Sequence, residues 1–219
     1  MDAEHLVIGF DLDETLVVSL HIFDEFFKFL DEKRVAHDKV AFARTHHWSD
    51  GVPEADINAL FEEFHERGNV PAPLPMPGAQ QAIAKIHAEA DIHVITARTA
   101  KVLTPIRPHL HREVFAGRSV SLWPCHGMSK RDIIVKKGIQ WYVDESISEL
   151  GRLVDVPGLK LVQMPSFFGI TCPRINHRRV FRLPACDSVG DLPINMVRAL
   201  AWDQVTELIN CNPPDSWFT

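Results

Sequence analysis

The sequence has no closely spaced cysteine pair: Cys125, Cys172, Cys186 and Cys211 stand far apart, and no CxxC occurs. That excludes a disulfide framework or a zinc knuckle as the organising device and makes buried, reduced thiols the expectation. It also lacks any run of about 18 apolar residues able to span a bilayer. Its first residues, MDAEH, are acidic where a secretory leader would be basic. The expectation is a cytoplasmic protein without a membrane partner. Basic residues are in deficit, 23 Lys and Arg against 29 Asp and Glu, for a formal net charge of −6. A nucleic-acid surface is therefore not the favoured partner, although a local basic patch survives any net charge. Internal repeats and low-complexity tracts are absent too. What remains is a globular composition, 46% hydrophobic and 24% charged over 219 residues. That length suits one substantial core plus a small accessory module.

Leu6-Val7-Ile8-Gly9-Phe10 reads as a short strand buried on both faces, as in the middle of a parallel sheet. From about Ser19 the period turns helical, with Ile22, Phe23, Phe26, Phe27 and Leu30 on one face. A second helical stretch runs from about Asp38 to Arg44. A third starts at Pro53, carries Ile57, Leu60, Phe61 and Phe64, and stops at Gly68. The alternating prolines between Val70 and Gly78 read as a stiff extended connector, neither helix nor strand. Strand–helix alternation follows. Strands are expected at Ile92–Thr96, Ser119–Trp123, Trp141–Val143 and Leu159–Gln163, with helices between them. Residues 164–193 look irregular, and a closing helix is expected over Trp202–Ile209. The rhythm predicts an α/β fold, a Rossmann-like parallel sheet with helices on both faces, interrupted by a small helical module after the first strand.

Ligands in such sheets sit beyond the carboxyl ends of the strands. Strand one ends in Asp11-Leu12-Asp13-Glu14-Thr15, a second strand in Thr96, and a third in Asp144-Glu145; Ser129-Lys130 opens the helix before the third. These types suit phosphoryl transfer. A carboxylate can attack phosphorus, dividing a hard hydrolysis into two displacements. A second carboxyl two residues on can move the proton. Clustered carboxylates suit Mg²⁺, while a hydroxyl and a lysine neutralise phosphoryl oxygens.

Phe10-Asp11-Leu12-Asp13-Glu14-Thr15-Leu16 resembles the first motif of the haloacid dehalogenase superfamily, an apolar strand followed by DxDx[TV]. Thr96, Lys130 and Asp144-Glu145 resemble the second, third and fourth motifs, in the family's order, and the resemblance spans residues 5–165. It implies Asp11 as nucleophile and metal ligand. It implies Asp13 as acid/base, with its backbone carbonyl on the metal, and Asp144 as a Mg²⁺ ligand. Thr96, Ala97 and Lys130 would bind phosphoryl. Asp13 points to phosphate-ester hydrolysis, since the name-giving dehalogenases lack that second Asp; Thr15 favours phosphatases over the phosphomutase pattern. Asp144-Glu145 departs from the commoner Asp-Asp, which leaves Glu145 as a second-layer or water-bound group. Lys136 and Lys137 compete with Lys130 but sit near the far end of that helix. The resemblance also implies that residues 18–75 form a cap over a core of residues 1–17 and 76–219.

The cap's position, Ile95-Thr96-Ala97-Arg98 and the Trp202-led closing helix resemble the deoxyribonucleotidase-like branch. A small phosphorylated substrate, a nucleoside monophosphate, is expected, with Arg98, Trp48, Thr15 and Glu145 as further candidates near it. Another small phosphomonoester, or 3′-phosphate ends of nucleic acid, is the alternative. An inactive binding module is the further alternative, but no motif residue is lost. His46-His47-Trp48 reads as substrate contact rather than metal site, because adjacent side chains diverge. The phenylalanines at helical spacing read as cap core, and Arg174, His177, Arg178 and Arg179 as a solvated loop or a phosphate-binding one. Cys125-His126 has no third partner for thiol catalysis.

Overall fold

Val7–Phe10 (β1) lies inside a six-stranded parallel sheet because both of its faces are apolar: Ile8 and Phe10 are fully buried. The computed structural model describes residues 5–38, 54–68, 70–86, 90–125, 128–165, 177, 179–189, 191 and 193–211. In chain order its elements are β1; β2 (Val17–Val18); α1 (Leu20–Glu32); α2 (Glu54–Glu66); β3 (Leu74–Pro75); and α3 (Ala79–Lys85). There follow β4 (Asp91–Thr96), α4 (Ala100–Glu113), β5 (Val120–Pro124), α5 (Lys130–Lys137) and β6 (Trp141–Asp144). Last come α6 (Ile147–Leu153), β7 (Lys160–Gln163), β8 (Val180–Arg182), a 3₁₀ turn over Pro184–Ser188 and α7 (Ile194–Cys211).

The sheet order is β5-β4-β1-β6-β7-β8, and every neighbouring pair is parallel. β1 therefore has β4 on one side and β6 on the other. The crevice where the order reverses opens beyond its carboxyl end, at Asp11. Alternate side chains feed two cores. Ile8, Phe10, Val94, Trp141, Val143 and Val162 pack with α3 and α7, where Trp202 meets Phe10 at 5.6 Å between ring centroids. Ile95, Tyr142 and Leu161 pack with α5 and α6 through Ile133, Ile134, Leu150 and Leu153. Gly9 is required by one of these layers: a Cβ there would come within 2.8 Å of the Tyr142 ring.

Between β1 and β4 the chain makes a two-stranded antiparallel ribbon from β2 and β3, which brackets α1 and α2. These helices bury a cluster of their own, built from Ile22, Phe26, Phe27, Phe29, Leu30, Ile57 and Phe64. Phe26 meets Phe61 edge-on at 4.9 Å. The phenylalanines are thus consumed in packing, as their helical spacing requires. The helix expected over Asp38–Arg44 falls outside the described residues apart from Asp38, which is not helical.

Three expectations are corrected. The extended proline connector does contain a strand, because Leu74 and Pro75 pair with Val17 and Val18; an edge position tolerates proline's missing N–H. The irregular tail contains a sixth strand, β8, whose three residues are too few to show alternation. The closing helix is more than twice the expected length. It begins at Ile194, and Arg198 is buried on its inner face, where periodicity reads a polar gap.

Arg198 pairs with Glu14. Glu14 adopts a left-handed backbone (φ 57°) and accepts hydrogen bonds from the Ser19 N–H (2.7 Å) and Arg198 Nη2 (3.2 Å). Both side chains are almost wholly buried, at 2% and 4% exposure. Burial pushes the Glu14 carboxyl up to about 7 and Arg198 down to about 10. Such a pair costs desolvation yet punishes removal of one member. Glu14→Gln should destabilise the protein by about 3 kcal/mol in denaturant unfolding, and adding Arg198→Met should recover part of the loss. An unchanged unfolding midpoint in Glu14→Gln would show that the pair does not hold this loop.

Candidate active site

The loop after β1 is bent so that its carboxylates diverge. Leu16 and Val17 N–H both donate to the Leu12 carbonyl, and Glu14 N–H to the Val17 carbonyl (2.7 Å). Asp11 N–H donates to the Val143 carbonyl at 2.9 Å, which locks the end of β1 to β6. The side chain of Asp11 consequently meets that of Asp144, and Lys130 bridges them. Its Nζ donates to Asp11 Oδ1 at 2.6 Å and to Asp144 Oδ2 at 2.9 Å. Lys130 is the first residue of α5. A reciprocal capping box between Ser129 and Asp132 fixes where that helix starts. Asp144 is held further by the Tyr142 hydroxyl (3.0 Å) and the Ser146 N–H (2.7 Å). Glu145 is turned the same way and accepts the Thr15 hydroxyl at 2.6 Å.

Among the described residues, Asp11, Asp144 and Glu145 form the one cluster of three metal-capable side chains, and all three are buried. Three carboxylates share a single ammonium, so the site carries an excess of negative charge in a medium that resists it. Burial first, then Asp144 and Asp13, push the Asp11 carboxyl up to about 8 despite Lys130. Glu145 is raised well above the carboxylate range by burial, with Asp144 and Asp11 adding to it. Burial works against the charge of Lys130, but Asp11 and Asp144 outweigh it and hold the ammonium firmly protonated. An all-oxygen donor set with surplus negative charge fits a hard divalent cation such as Mg²⁺.

Asp13 lies outside that cluster. Its carboxylate is clamped by Arg98, from Nε at 2.9 Å and Nη2 at 2.6 Å, and accepts the Ser19 hydroxyl. Burial opposes its charge, but Arg98 and Ser19 prevail and keep it an anion below the usual range. Thr96, at the end of β4, is buried, and its hydroxyl accepts the Arg98 N–H at 3.1 Å. Ala97, which follows it in the chain, is exposed. Asp11, Asp13, Thr15, Thr96, Arg98, Lys130, Asp144 and Glu145 are thus gathered at one end of the sheet. Trp48, with Arg44, His46, His47, Arg174 and Arg178, lies outside the described residues.

Ser19, Tyr142, Glu14, Arg198 and His65 escaped the sequence reading. Tyr142 sits inside an apolar strand and reads as core, and nothing local links Arg198 to a loop 184 residues away. Cys125 donates its N–H to the Thr96 carbonyl at 2.9 Å, and burial raises its thiol to about 11, the opposite of an activated nucleophile.

No family model and no curated protein matches this sequence. Solved structures do. CbbY from Rhodobacter sphaeroides, determined with phosphate, aligns at a TM-score of 0.54 and 18% identity over 83% of this chain and 98% of its own. A protein named as a candidate phosphoglycolate phosphatase from Lactobacillus plantarum aligns at 0.60 and 14%, over 83% and 96%. A haloacid dehalogenase-like hydrolase from Streptococcus pneumoniae aligns at 0.56 and 12%, over 75% and 87%. At such identities the likeness is one of fold: the chain has the Rossmann-like α/β fold of haloacid dehalogenase-type phosphatases. Among the described residues no helix is long and apolar enough to cross a membrane.

Proposed function

We propose that the chain is a Mg²⁺-dependent phosphomonoester hydrolase that works through an aspartyl phosphate on Asp11. The supporting observation is the buried Asp11–Asp144–Glu145 cluster bridged by Lys130 and set beside Thr96. Mg²⁺ held by Asp11, Asp144 and the Asp13 carbonyl would offset the charge of the carboxylates and of the phosphoryl oxygens. Asp11 is the carboxylate that attacks phosphorus, while Thr96, the Ala97 N–H and Lys130 bind the phosphoryl oxygens. Asp13 carries a proton to the departing oxygen and later takes one from the attacking water. As held by Arg98, it is already in the anionic form that the second step uses; for the first step it must take up a proton, which the monoanionic form of the phosphate ester can bring. Thr15 orients Glu145, which stands behind the metal position.

Residues 18–75 are the cap and residues 1–17 with 76–219 the core; the separate apolar cluster of α1 and α2 supports that division. Three free cysteines among the described residues suit a cytoplasmic setting. The fold neighbour CbbY binds phosphate and, in a mutant form, xylulose-(1,5)bisphosphate, which supports a small phosphorylated substrate. Nucleoside 5′-monophosphates are the finer reading, carried by the deoxyribonucleotidase-like motifs. Action on nucleic-acid ends draws less support, because the Arg179 guanidinium is engaged by the Val156 carbonyl at 2.7 Å.

The test is kcat/KM with Mg²⁺ for a nucleoside monophosphate, a hexose phosphate and a 3′-phosphorylated oligonucleotide. The nucleotide should be hydrolysed best. A preference for either other substrate overturns the nucleotide reading and leaves the phosphatase standing. No hydrolysis of any phosphomonoester returns the chain to the binding-module class.

A further inference from the structure

Where α2 lies over the start of α4, several polar groups are buried and left unused. Arg98 commits Nε and Nη2 to Asp13, and Nη2 also to Ser19, but its Nη1 is buried without a hydrogen-bond partner, on a side chain 4% exposed. Thr99 is the N-cap of α4, yet its hydroxyl makes no cap bond and is likewise buried and unpartnered. His65, on α2, has a buried Nδ1 with no partner. Arg98 and Asp13 both lie near enough to His65 to act on its proton affinity. Lys101, one residue inside α4, reaches up to Glu62 (3.8 Å) and Glu66 on α2, which holds the two helices together at this point.

Buried polar groups without partners are rare because each costs the free energy of a lost hydrogen bond. Arg98 and Thr99 are adjacent in the chain, and His65 acts with Arg98 across the contact of α2 with α4, so the three unmet groups point to a position that a ligand completes. The unmet donors there suit an anion, although Asp13 already pairs with the guanidinium and Glu62 lies near His65. A guanidinium supplies the cation, and the first N–H groups of the 14-residue α4 point outward at its positive end. Thr99 can donate a further hydrogen bond. The position adjoins Thr96 and Ala97, where the transferred phosphoryl group is proposed to sit, but is separate from them.

We propose that Arg98, Thr99, His65 and the N-terminus of α4 form a subsite for a second anionic group on the substrate, a carboxylate or a second phosphate remote from the one hydrolysed. The substrate class is then a short phosphomonoester whose leaving group is itself charged. This rests on the phosphohydrolase reading above. It does not depend on which carbon framework joins the two anions; a nucleoside 5′-monophosphate, whose leaving group is uncharged, would leave the subsite empty, so the subsite competes with that finer reading and not with the phosphatase.

Three compounds of equal chain length separate the possibilities: propyl phosphate, 3-phosphonooxypropanoate and propane-1,3-diol bisphosphate. With Mg²⁺ at fixed ionic strength, the two compounds that carry a second anionic group should show kcat/KM at least about tenfold above propyl phosphate, the worth of one charge-assisted hydrogen bond. Their order tells carboxylate from phosphate. Thr99→Val and His65→Phe should each narrow the ratio of anionic to plain substrate by about threefold or more. Calorimetric binding of the same compounds to Asp11→Asn protein, which should not turn over, gives the ratio without chemistry. Equal affinities there, or a ratio unmoved by both substitutions, would overturn the subsite. Hydrolysis of all three at equal rates removes the subsite and keeps the phosphatase. Selective binding without hydrolysis by the wild type keeps the subsite and removes the phosphatase.

Discussion

Asp11→Asn should lower kcat/KM for any phosphomonoester by at least about a thousandfold while leaving the fold intact, the scale of loss when a covalent nucleophile is removed. The reason lies in what Asn keeps. Its side-chain oxygen can still accept Lys130, its backbone N–H still bonds the Val143 carbonyl, and its volume is that of Asp. What it loses is the anionic oxygen that forms the bond to phosphorus. The same substitution removes one charge from a buried group of three carboxylates that share one lysine. Because burial raises the folded-state Asp11 carboxyl to about 8, its ionisation is unfavourable in the fold. The cost is absent below the ordinary carboxylate range, where folded and unfolded states are both protonated. It grows as pH rises from there through about 8. In chelator at neutral to mildly alkaline pH, Asp11→Asn should therefore melt at the same temperature as wild type or higher, and that advantage should fade in acid. An inactive variant that is also less stable would indicate a structural carboxylate. A folded variant with near-wild-type turnover would eliminate Asp11 as the attacking group.

The positions of the candidate site residues were legible in the sequence for a physical reason. In a parallel sheet each site residue follows an apolar run. Asp11, Thr96 and Asp144 therefore announce themselves at the ends of β1, β4 and β6, and Lys130 at the start of a well-capped α5. Their meeting is a consequence of strand order. β4 and β6 flank β1, so three segments remote in sequence end side by side. What stayed hidden depends on tertiary contact. The clamp of Arg98 on Asp13 crosses 85 positions, and the pair of Glu14 and Arg198 crosses 184. Neither has periodicity or spacing to reveal it. β8 was missed because three residues cannot display a period of two, and α7 was cut short because a buried arginine breaks the apolar stripe. His65 is the plainest case. It reads as the polar side of a helix whose Phe61 and Phe64 face inward, and only the docking of α2 on α4 turns that side towards the site.

Chelation of divalent metal should abolish turnover, Mg²⁺ should restore it, and Ca²⁺ should restore it poorly. Asp11, Asp144 and Glu145 offer oxygen only, with no His or Cys among them, so a hard cation is the match. The smaller ion with strict octahedral demands holds a carboxylate in one geometry, where the larger tolerates several. The electrostatics add a second and independent expectation. Without metal the cluster retains protons towards alkaline pH, with Asp11 raised to about 8 and Glu145 well above its ordinary value. A cation binds the deprotonated form, so binding at neutral pH must expel a proton. Mg²⁺ affinity, followed by calorimetry between about pH 6 and 9, should rise by up to about tenfold per pH unit and level off above the Asp11 value. Lys130 stays protonated throughout, so it contributes no opposing slope. In Asp11→Asn the slope should shrink, since the substituted side chain has no proton to release. Full activity in metal-free protein would refute the metal-dependent reading. A Mg²⁺ affinity that is flat across the range would show that the ion binds somewhere other than among these carboxylates.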